Sequence, residues 1–453
     1  MSKTLLHKAV DAIVTLKHPG RMLEGNEVIE WLGSVNLRHA TISISTGDAT
    51  GFGPEGVVAV SALAKALRVP STAYRRGSSH ATFAEGLAKQ LIVSFGKSPR
   101  PTVDDDAVVQ FEADVAAWFV KEAVVRRHFV PCTILPERAG VFAVGPVTFI
   151  HADEIIGHPI GLAADNAFTD IAWDNLRRAL NERAAGWVAV VDIDGCHPVR
   201  ASEVADLAVD VAITAVQLIV PAAYSKHMAR VTARTAPAWR GNLTVTSGQI
   251  CPGVQNNLPA LGLSAADFDA LITAGEKLLA AAGRRLSMFV TGQVSLPKID
   301  QAWCDAAYWF HEGLAEPLDT VATVKLETAV EVLLRSESSK GSGKRMRQAI
   351  EAVTGLTPKA PIAPGSSMTV EQFAKTLVGA RSQVLHGTFS TLTEELAPER
   401  SSLTGFSHLL LATFALQIDA YAASNLPSDD IEALLRWIDV QRAPVSPTST
   451  RRE

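Results

Sequence analysis

The sequence predicts an α+β N-terminal region, about residues 1–295, followed by an all-α helical bundle, about residues 300–441. In the first part, short runs of β-branched and aromatic residues bounded by turn residues alternate with helical patterns, which is typical of a mixed fold. In the second part, apolar residues recur almost only at the three- and four-residue spacing of helices. A proline-containing stretch at 96–103 is a possible internal break, and residues 442–453 are expected to form a disordered tail.

Length and composition indicate a globular protein with more than one domain. The chain has 453 residues, of which 47% are hydrophobic and 20% charged, and domains of roughly 100–200 residues predict two or three of them. The net charge of −5 excludes a general attraction to nucleic acid, so any such contact must be local. Four scattered cysteines without a CxxC pair are typical of reduced thiols. We find no signal peptide or membrane span, and expect a cytoplasmic protein without a membrane partner.

Local patterns place each element of the first region. A strand is expected at Trp187–Ile193, because the run is strongly apolar and Asp194-Gly195 marks a turn after it. The helix that begins at about residue 104 opens with three aspartates, which suit the positive end of a helix dipole. Strands are predicted at 40–45, within 128–157, and at 187–193, 226–234 and 242–248. Helices are predicted at 55–67, 82–96, 104–127, 169–185, 200–220 and 264–283.

The second region is predicted to contain helices in close succession. Between two of them lies a loop rich in Pro, Gly and Ser at 354–368, and loops of that length within a compact domain are usually functional or mobile. The predicted helices are 301–314, 318–337, 341–354, 370–386, 403–424 and 429–440.

The segment most informative about function is RSQVLHG, residues 381–387, in one of these helices. Four residues separate Arg381 from His386, and at 3.6 residues per turn such positions lie about 140° apart on an ideal helix. An arginine side chain is nevertheless long enough to direct its guanidinium towards the imidazole. Gly387 follows the histidine and is expected to end or bend the helix there.

This arrangement resembles the motif of the HEPN superfamily of nucleases, and most closely its Apea-like branch. The family motif is an arginine, a polar residue, about three further residues and a histidine, which correspond here to Arg381, Ser382, the segment QVL and His386. The upstream segment AWCDAAYWFHEGL looks like the first helix of the family's bundle. The segment TVATVKLETAVEVLL, with Glu331 in an apolar setting, looks like its second. The resemblance covers residues 300–441, about a third of the chain, and implies a HEPN-like bundle.

The resemblance implies metal-independent cleavage of RNA without a cofactor. A histidine titrates near neutrality, so His386 would take the proton of the attacking 2′-hydroxyl. Arg381 would offer a planar set of donors to the phosphate as negative charge develops on it. Ser382 would bind the scissile phosphate or orient the histidine, although many active members carry Asn, Asp or His at this position. The expected products end in a 2′,3′-cyclic phosphate and a 5′-hydroxyl.

The resemblance also implies partners and a biological role. In the family two protomers pair so that both motifs line one cleft, which implies a homodimer through the C-terminal bundle with RNA as the substrate. Similar proteins serve in bacterial anti-phage defence or in toxin systems. On this interpretation residues 1–295 are a sensor or regulatory region for a regulatory or phage-derived partner, and the loop 354–368 could gate the cleft.

One local positive cluster is a candidate contact for RNA. The bundle as a whole is not basic, since residues 301–453 hold 14 Lys and Arg against 18 Asp and Glu. The segment SKGSGKRMRQ nevertheless leads into a helix with four cations that could face a phosphate backbone. A solvated helix face explains the same pattern. The four candidates are Lys340, Lys344, Arg345 and Arg347.

Two alternative functions stay open at this point. The bundle could be a non-catalytic HEPN-like module for dimerisation or for binding RNA or a protein, and burial of Arg381 and His386 in apolar packing would favour it. Chemistry could instead reside in the first region, through Asp192, Asp194 and His197, a cluster whose residue types can bind a metal. A polar turn is the more common outcome for such a segment, and no metal site is predicted.

Overall fold

The computed structural model describes most of the chain. The described residues are 2–17, 27, 30, 37–42, 48–96, 101–155, 167–232, 234–292, 295–336, 339–424 and 427–442, without the side chains of 167–170, 339 and 340. Their contacts form two compact units, a small unit of Met1–Arg126 with Ile193–Val204 and a large unit of Arg127–Asp192 with Ala205–Glu453. The predicted disordered tail after residue 442 and the end of the first predicted strand, 43–45, lie outside the described residues.

The small unit packs helices on a three-stranded antiparallel sheet of order β1-β3-β2. Its core is rich in aromatic side chains, among them the buried Phe52, Phe83 and Phe119. The last helix begins after Asp104, whose carboxylate accepts a hydrogen bond from the N–H of Ala107 at 2.8 Å and so caps the helix. The strands are β1 Ile13–Leu16, β2 Arg38–Ile42 and β3 Ala49–Phe52. The helices are α1 Lys3–Asp11, α2 Pro54–Arg68, α3 Thr72–Gly77, α4 His80–Phe95 and α5 Asp105–Glu122.

A five-stranded sheet of order β5-β6-β7-β4-β8 forms the β part of the large unit. Its central strand β7 is buried along most of its length, as its apolar sequence predicts, and the indole N–H of Trp187 donates to the carbonyl of Leu135 at 2.9 Å. The strands are β4 Arg126–Thr133, β5 Phe142–Val144, β6 Val147–His151, β7 Trp187–Ile193 and β8 Ala229–Arg230. The helices that follow these strands are α6 Ala152–Ile155, α7 Ala167–Arg183, α8 Pro198–Gln217 and α9 Ala222–Ser225.

A two-stranded hairpin, β9 Trp239–Thr246 and β10 Gln249–Asn256, extends from the large unit into solvent. Only β9 coincides with a predicted strand. Pro252 and Gly253 stand inside β10, and both are rare in strands, so its composition does not indicate a strand. The antiparallel register pairs Val245 with Ile250, and both side chains are at least 60% exposed. The hairpin therefore presents apolar residues to water.

The rest of the large unit is helical. Helices α12 and α13 form an antiparallel pair, and α13 also packs against α15 and α16. The fully buried Trp303 of α12 donates its indole N–H to the carbonyl of Leu411 in α16 at 2.9 Å, which ties the two helices together. The helices are α10 Ala265–Ala274, α11 Glu276–Thr291, α12 Pro297–Ala315, α13 Asp319–Leu333, α14 Ser339–Thr354, α15 Val370–Leu385, α16 Ala397–Ala422 and α17 Ile431–Arg442.

The predicted order, an α+β region followed by helices, is confirmed by these elements. The helix predicted at 264–283 is two helices, because Gly275 lies where α10 ends and α11 begins. The contacts divide the chain near residues 126 and 204, whereas composition predicts boundaries at 96–103 and at about 295–300. The predicted boundaries concern segments that would fold on their own, which the contacts do not test, so they stay predictions.

One described helix, α16, is long and apolar enough to cross a membrane. Its side chains Leu410, Phe414 and Ile418 are fully buried, and the helix packs against α11, α12 and α13. Core helices of soluble proteins have the same length and composition. The buried part of α16, 44% of its most apolar stretch, is explained by its position in the bundle.

Candidate functional site

Helix α15 carries the Arg–His motif, and local sequence sets where it begins. The hydroxyl of Thr369 accepts a hydrogen bond from the N–H of Gln372 at 3.2 Å. The side-chain oxygen of Gln372 accepts in return from the N–H of Thr369 at 2.9 Å. This capping box satisfies two donors at the helix start and fixes the first turn.

The end of α15 is equally well defined. Gly387 adopts a left-handed conformation with φ of 69°. The N–H of Gly387 donates to the carbonyl of Val384 at 3.1 Å, and the N–H of Thr388 donates to that of Gln383 at 2.9 Å. These two bonds are a Schellman motif. His386 therefore stands at the C-terminal end of the helix, where Gly387 predicts the helix to stop.

The guanidinium of Arg381 contacts two carboxylates of the neighbouring helix α13. Its Nε lies 3.1 Å from Oε2 of Glu327, and its Nη2 lies 2.9 Å from Oε2 of Glu331. Its Nη1 donates to Oε1 of Glu331 at 3.2 Å. Among the described residues no contact joins Arg381 to His386, so the expected approach of the guanidinium to the imidazole is absent. The guanidinium lies against α13 instead.

Glu327 is the most deeply buried member of this group. Its side chain is 0% exposed, and its carboxyl oxygens make no hydrogen bond within the described ranges. Burial, and then the nearby charge of Glu331, raise its pKa from 4.5 to about 8, although Arg381 opposes the shift. Glu327 is therefore largely protonated near neutrality, and Arg381 with Glu331 forms the charged pair.

His386 and Ser382 lie on the same last turns of the helix but differ in exposure. The side chain of His386 is exposed, whereas Ser382 is half-buried. The carbonyl of Ser382 accepts the backbone N–H of His386 at 3.0 Å, which fixes the backbone between them. An exposed imidazole can exchange protons with water or with a bound substrate. His386 is thus accessible for the proton transfer that the resemblance assigns to it.

The predicted basic cluster lies on α14, and part of its charge is already paired. Arg345 contacts Glu432 of α17 at 2.6 Å. Lys344 is exposed and Arg347 is half-buried. The side chain of Lys340 lies outside the described residues. Lys344 and Arg347 are therefore the better candidates for a contact with a phosphate backbone.

The acidic candidates of the first region are engaged in other contacts. Asp192 accepts two hydrogen bonds from the guanidinium of Arg127, each at 2.7 Å. Asp194 accepts the N–H of Gly195 at 2.7 Å and so closes its own turn. Burial lowers the pKa of His197. In the part of the chain that the structure describes, no group of three or more His, Cys, Asp and Glu side chains converges as a metal site.

Sequence reasoning did not identify Glu327 as a member of the site. The pattern that could have identified it is LETAVE, in which Glu327 and Glu331 stand four residues apart and so face the same side of a helix. Two acids on one side of an otherwise apolar helix predict a basic partner. Which arginine supplies that charge depends on the tertiary packing of α15 against α13.

No family model matches the chain, and no curated protein or solved structure is significantly similar to it. The resemblance to HEPN nucleases therefore depends on the Arg–His motif and on the helices before it.

Proposed function

We propose that the C-terminal bundle is a metal-independent endoribonuclease of the HEPN type. The observation that supports this most directly is the exposed His386 at the end of α15, one and a half turns after the partly exposed Arg381. A histidine that can exchange protons and an arginine that can bind phosphate are the two groups that 2′-hydroxyl attack requires. RNA as substrate, a homodimer through the bundle, a cytoplasmic location and a role in bacterial anti-phage defence or a toxin system belong to the same proposal.

The contacts of Arg381 are compatible with a role in phosphate binding. A guanidinium has five N–H donors. Glu331 takes one from each Nη atom and Nε points at Glu327, which leaves two Nη donors. The side chain is 24% exposed, so these donors can reach a scissile phosphate while the carboxylates hold the guanidinium in place. His386 would then accept the 2′-hydroxyl proton, and the attack would release the 5′-hydroxyl fragment.

The test is cleavage of a mixed tRNA and mRNA pool by the purified full chain in EDTA. His386→Ala and Arg381→Ala should abolish cleavage that leaves 2′,3′-cyclic phosphate ends. Gln383→Ala is the matched control, because Gln383 is an exposed residue of the same helix turn. Cleavage that persists in both variants would show that other residues carry the reaction. Thermal melts of each variant separate lost chemistry from lost folding.

A second function, a non-catalytic bundle that binds RNA or a protein, has its own supporting observation. Arg381 is paired with Glu331, and the adjacent Ser382 replaces the Asn, Asp or His of many active relatives in the resembled family. On this interpretation Arg381 joins α15 to α13 and has no further role. A gel-shift assay distinguishes the two functions, because this one predicts RNA or partner binding without any cleavage products.

A further inference from the structure

The large unit contains a cleft whose lining includes neither Arg381 nor His386. Its volume is about 130 Å³. A buried water needs roughly 10–15 Å³ of such volume, so the cleft has room for a compact polar group. It lies where β8 meets the base of the β9–β10 hairpin and the C-terminal ends of α7 and α12. Its lining includes His311, four Lys and Arg side chains and the two carboxylates Asp210 and Glu312.

A chain of hydrogen bonds fixes the ring of His311 in this cleft. The side-chain amide nitrogen of Gln217 donates to the carbonyls of Ser225 at 3.1 Å and Met228 at 3.3 Å. The amide oxygen of Gln217 is therefore the atom that faces Nδ1 of His311, at 3.1 Å. Because an amide oxygen only accepts, Nδ1 must carry the proton.

The other ring nitrogen of His311 is consequently an acceptor. The residue is 5% exposed, and burial lowers its pKa, so the ring is neutral near pH 7. No contact of Nε2 is present among the described residues, and the ring lines the cleft. The cleft is thus lined by one oriented acceptor, Nε2 of His311, that accepts no hydrogen bond from the described residues.

The two carboxylates of the lining each contact a cation. Asp210 accepts from the guanidinium of Arg230 at 3.2 and 3.1 Å, and Arg230 also contacts Asp206 at 3.1 Å. Glu312 lies 3.4 Å from the ammonium of Lys325, which also contacts Glu316 at 2.8 Å. The lining itself still holds four Lys and Arg side chains against these two carboxylates.

Three cations of the lining have no such partner. In the described segments no carboxylate lies within ion-pair distance of Arg183, Lys226 or Arg234. They come from three different segments, the end of α7, the turn after α9 and the stretch after β8, and all line the same cleft. In a chain with a net charge of −5, such a group of cations indicates an anionic ligand. Guanidinium groups match the oxygens of phosphate in particular.

We propose that this cleft binds the phosphate monoester of a small hydroxylated compound, such as a sugar phosphate or a nucleoside monophosphate. The phosphate lies among Arg183, Lys226 and Arg234, because three cations suit a dianion better than a single carboxylate. A hydroxyl or ring N–H of the same ligand donates to Nε2 of His311. The volume accommodates the phosphate and the atoms next to it, and the rest of the ligand extends into solvent. This site goes beyond RNA cleavage and does not depend on it.

Isothermal titration calorimetry of the full chain tests the proposal with four probes: ribose 5-phosphate, AMP, inorganic phosphate and glycolate. At least one phosphate ester should bind more tightly than inorganic phosphate, and glycolate, a hydroxylated compound with a single carboxylate, should bind most weakly. Preference for ribose 5-phosphate or for AMP distinguishes the two sources of the ester. Absence of binding at millimolar ester, or equal binding of glycolate, would overturn the proposal.

Variants locate the binding. Arg183→Gln and Arg234→Gln should each weaken ester binding about 10-fold, as expected for the loss of one charge-assisted hydrogen bond. Arg178→Gln is the matched control, because Arg178 is an exposed arginine of α7 that does not line the cleft. Unchanged affinity in the first two variants, or an equal loss in the control, would overturn the site.

The role of His311 has a separate readout. His311→Phe should weaken binding of the ester and leave binding of sulfate unaffected. Sulfate is a dianion without a proton at neutral pH and so has no donor for Nε2, whereas the ester has hydroxyl groups. Should this variant not fold, the Nε2 resonance of His311 in the wild-type chain serves instead. It should shift with the ester and not with sulfate, and identical responses to both would overturn the proposed contact.

Discussion

Two clusters of one arginine and two carboxylates lie in the helical part of the large unit, and they differ in how much water reaches them. The Arg285 cluster consists of Arg285, Asp300 and Asp419, from helices α11, α12 and α16. Arg285 is 1% exposed and Asp300 is 2% exposed, and their charges lie 2.9 Å apart. Dry ion pairs of this kind hold helices together only while both partners are present.

The Arg381 cluster consists of Arg381, Glu327 and Glu331, and it joins α15 to α13. Its arginine is 24% exposed, and the exposed His386 follows on the same helix. The same set of charges therefore occurs in two environments. The Arg285 cluster, from which water is largely excluded, joins helices. On the proposed function, the Arg381 cluster also holds an arginine whose open side can bind a ligand. The exposed fraction of the arginine distinguishes the two clusters.

The largest expected effect comes from removing the buried arginine. Arg285→Met should lower the free energy of unfolding by about 3–5 kcal/mol, because Asp300 is left as an uncompensated buried charge. Urea unfolding followed by tryptophan fluorescence measures it. Arg284→Met is the control: Arg284 is the adjacent residue and also contacts Asp419, but it is 54% exposed, so its loss should cost at most about 1 kcal/mol. An equal decrease in the free energy of unfolding in both variants would show that burial of the arginine does not determine its contribution to stability.

On the proposed ribonuclease function, the partly exposed Arg381 should affect RNA cleavage more than stability. Arg381→Lys keeps the positive charge but loses the planar donors, so RNA cleavage should slow by roughly 10²-fold. Unfolding should change by only about 1 kcal/mol. Cleavage rates on a fluorescent RNA, measured beside urea unfolding, test both. A variant that is strongly destabilised yet cleaves at the normal rate would assign Arg381 to the structural role alone.

The buried acids of the two clusters, Glu327 and Asp300, should also differ in the pH range over which their protonation changes the free energy of unfolding. Burial and then Glu331 raise the pKa of Glu327 from 4.5 to about 8, so the folded state keeps a proton that the unfolded state releases. The stability that this provides is complete below pH 4.5 and is lost as the pH rises to about 8. The slope is at most about 1.4 kcal/mol per pH unit. Glu327→Gln should remove it, as urea unfolding across this range measures.

Asp300→Asn provides the matched comparison. Burial raises the pKa of Asp300 from 3.8 to about 6, so the folded state holds this proton more tightly than the unfolded state does. The stability linked to that proton is complete below pH 3.8 and is lost as the pH rises to about 6, a lower range than for Glu327. The asparagine variant should flatten only that lower range, and the Glu327→Gln variant should keep it. If the free energy of unfolding varied with pH in the same way in both variants, Asp300 and Glu327 would not titrate separately.

Local sequence predicts the helix that carries the Arg–His motif, but not what its arginine contacts. The capping residues Thr369 and Gln372 and the terminal Gly387 act within a few residues, so the bounds of α15 can be read from the chain. Glu327 lies more than fifty residues before Arg381, and only the packing of α13 on α15 brings them together. The segment LETAVE predicts a basic partner for its two acids, but the tertiary packing alone determines which arginine this is.

The cleft of the large unit shows the same limit more strongly. Arg183, Lys226, Arg234 and His311 stand in separate segments, and each alone is an ordinary residue of a helix end or loop. The tautomer of His311 depends on Gln217, whose own orientation depends on two backbone carbonyls. Such a site arises from the tertiary fold, so composition and spacing could not indicate it.

The smallest expected effect comes from Gly387, where substitutions test whether the end of α15 positions His386. At Gly387 an added Cβ would meet no atom within 4 Å, so Gly387→Ala is penalised only by the left-handed φ of 69°, by about 1 kcal/mol. Gly387→Asn tolerates that conformation better and should cost less. Because the Schellman motif sets the backbone of His386, cleavage should fall in the alanine variant and recover in the asparagine variant. Equal rates in both would mean that the helix end does not position His386, and the Arg285 cluster should be unaffected in either case.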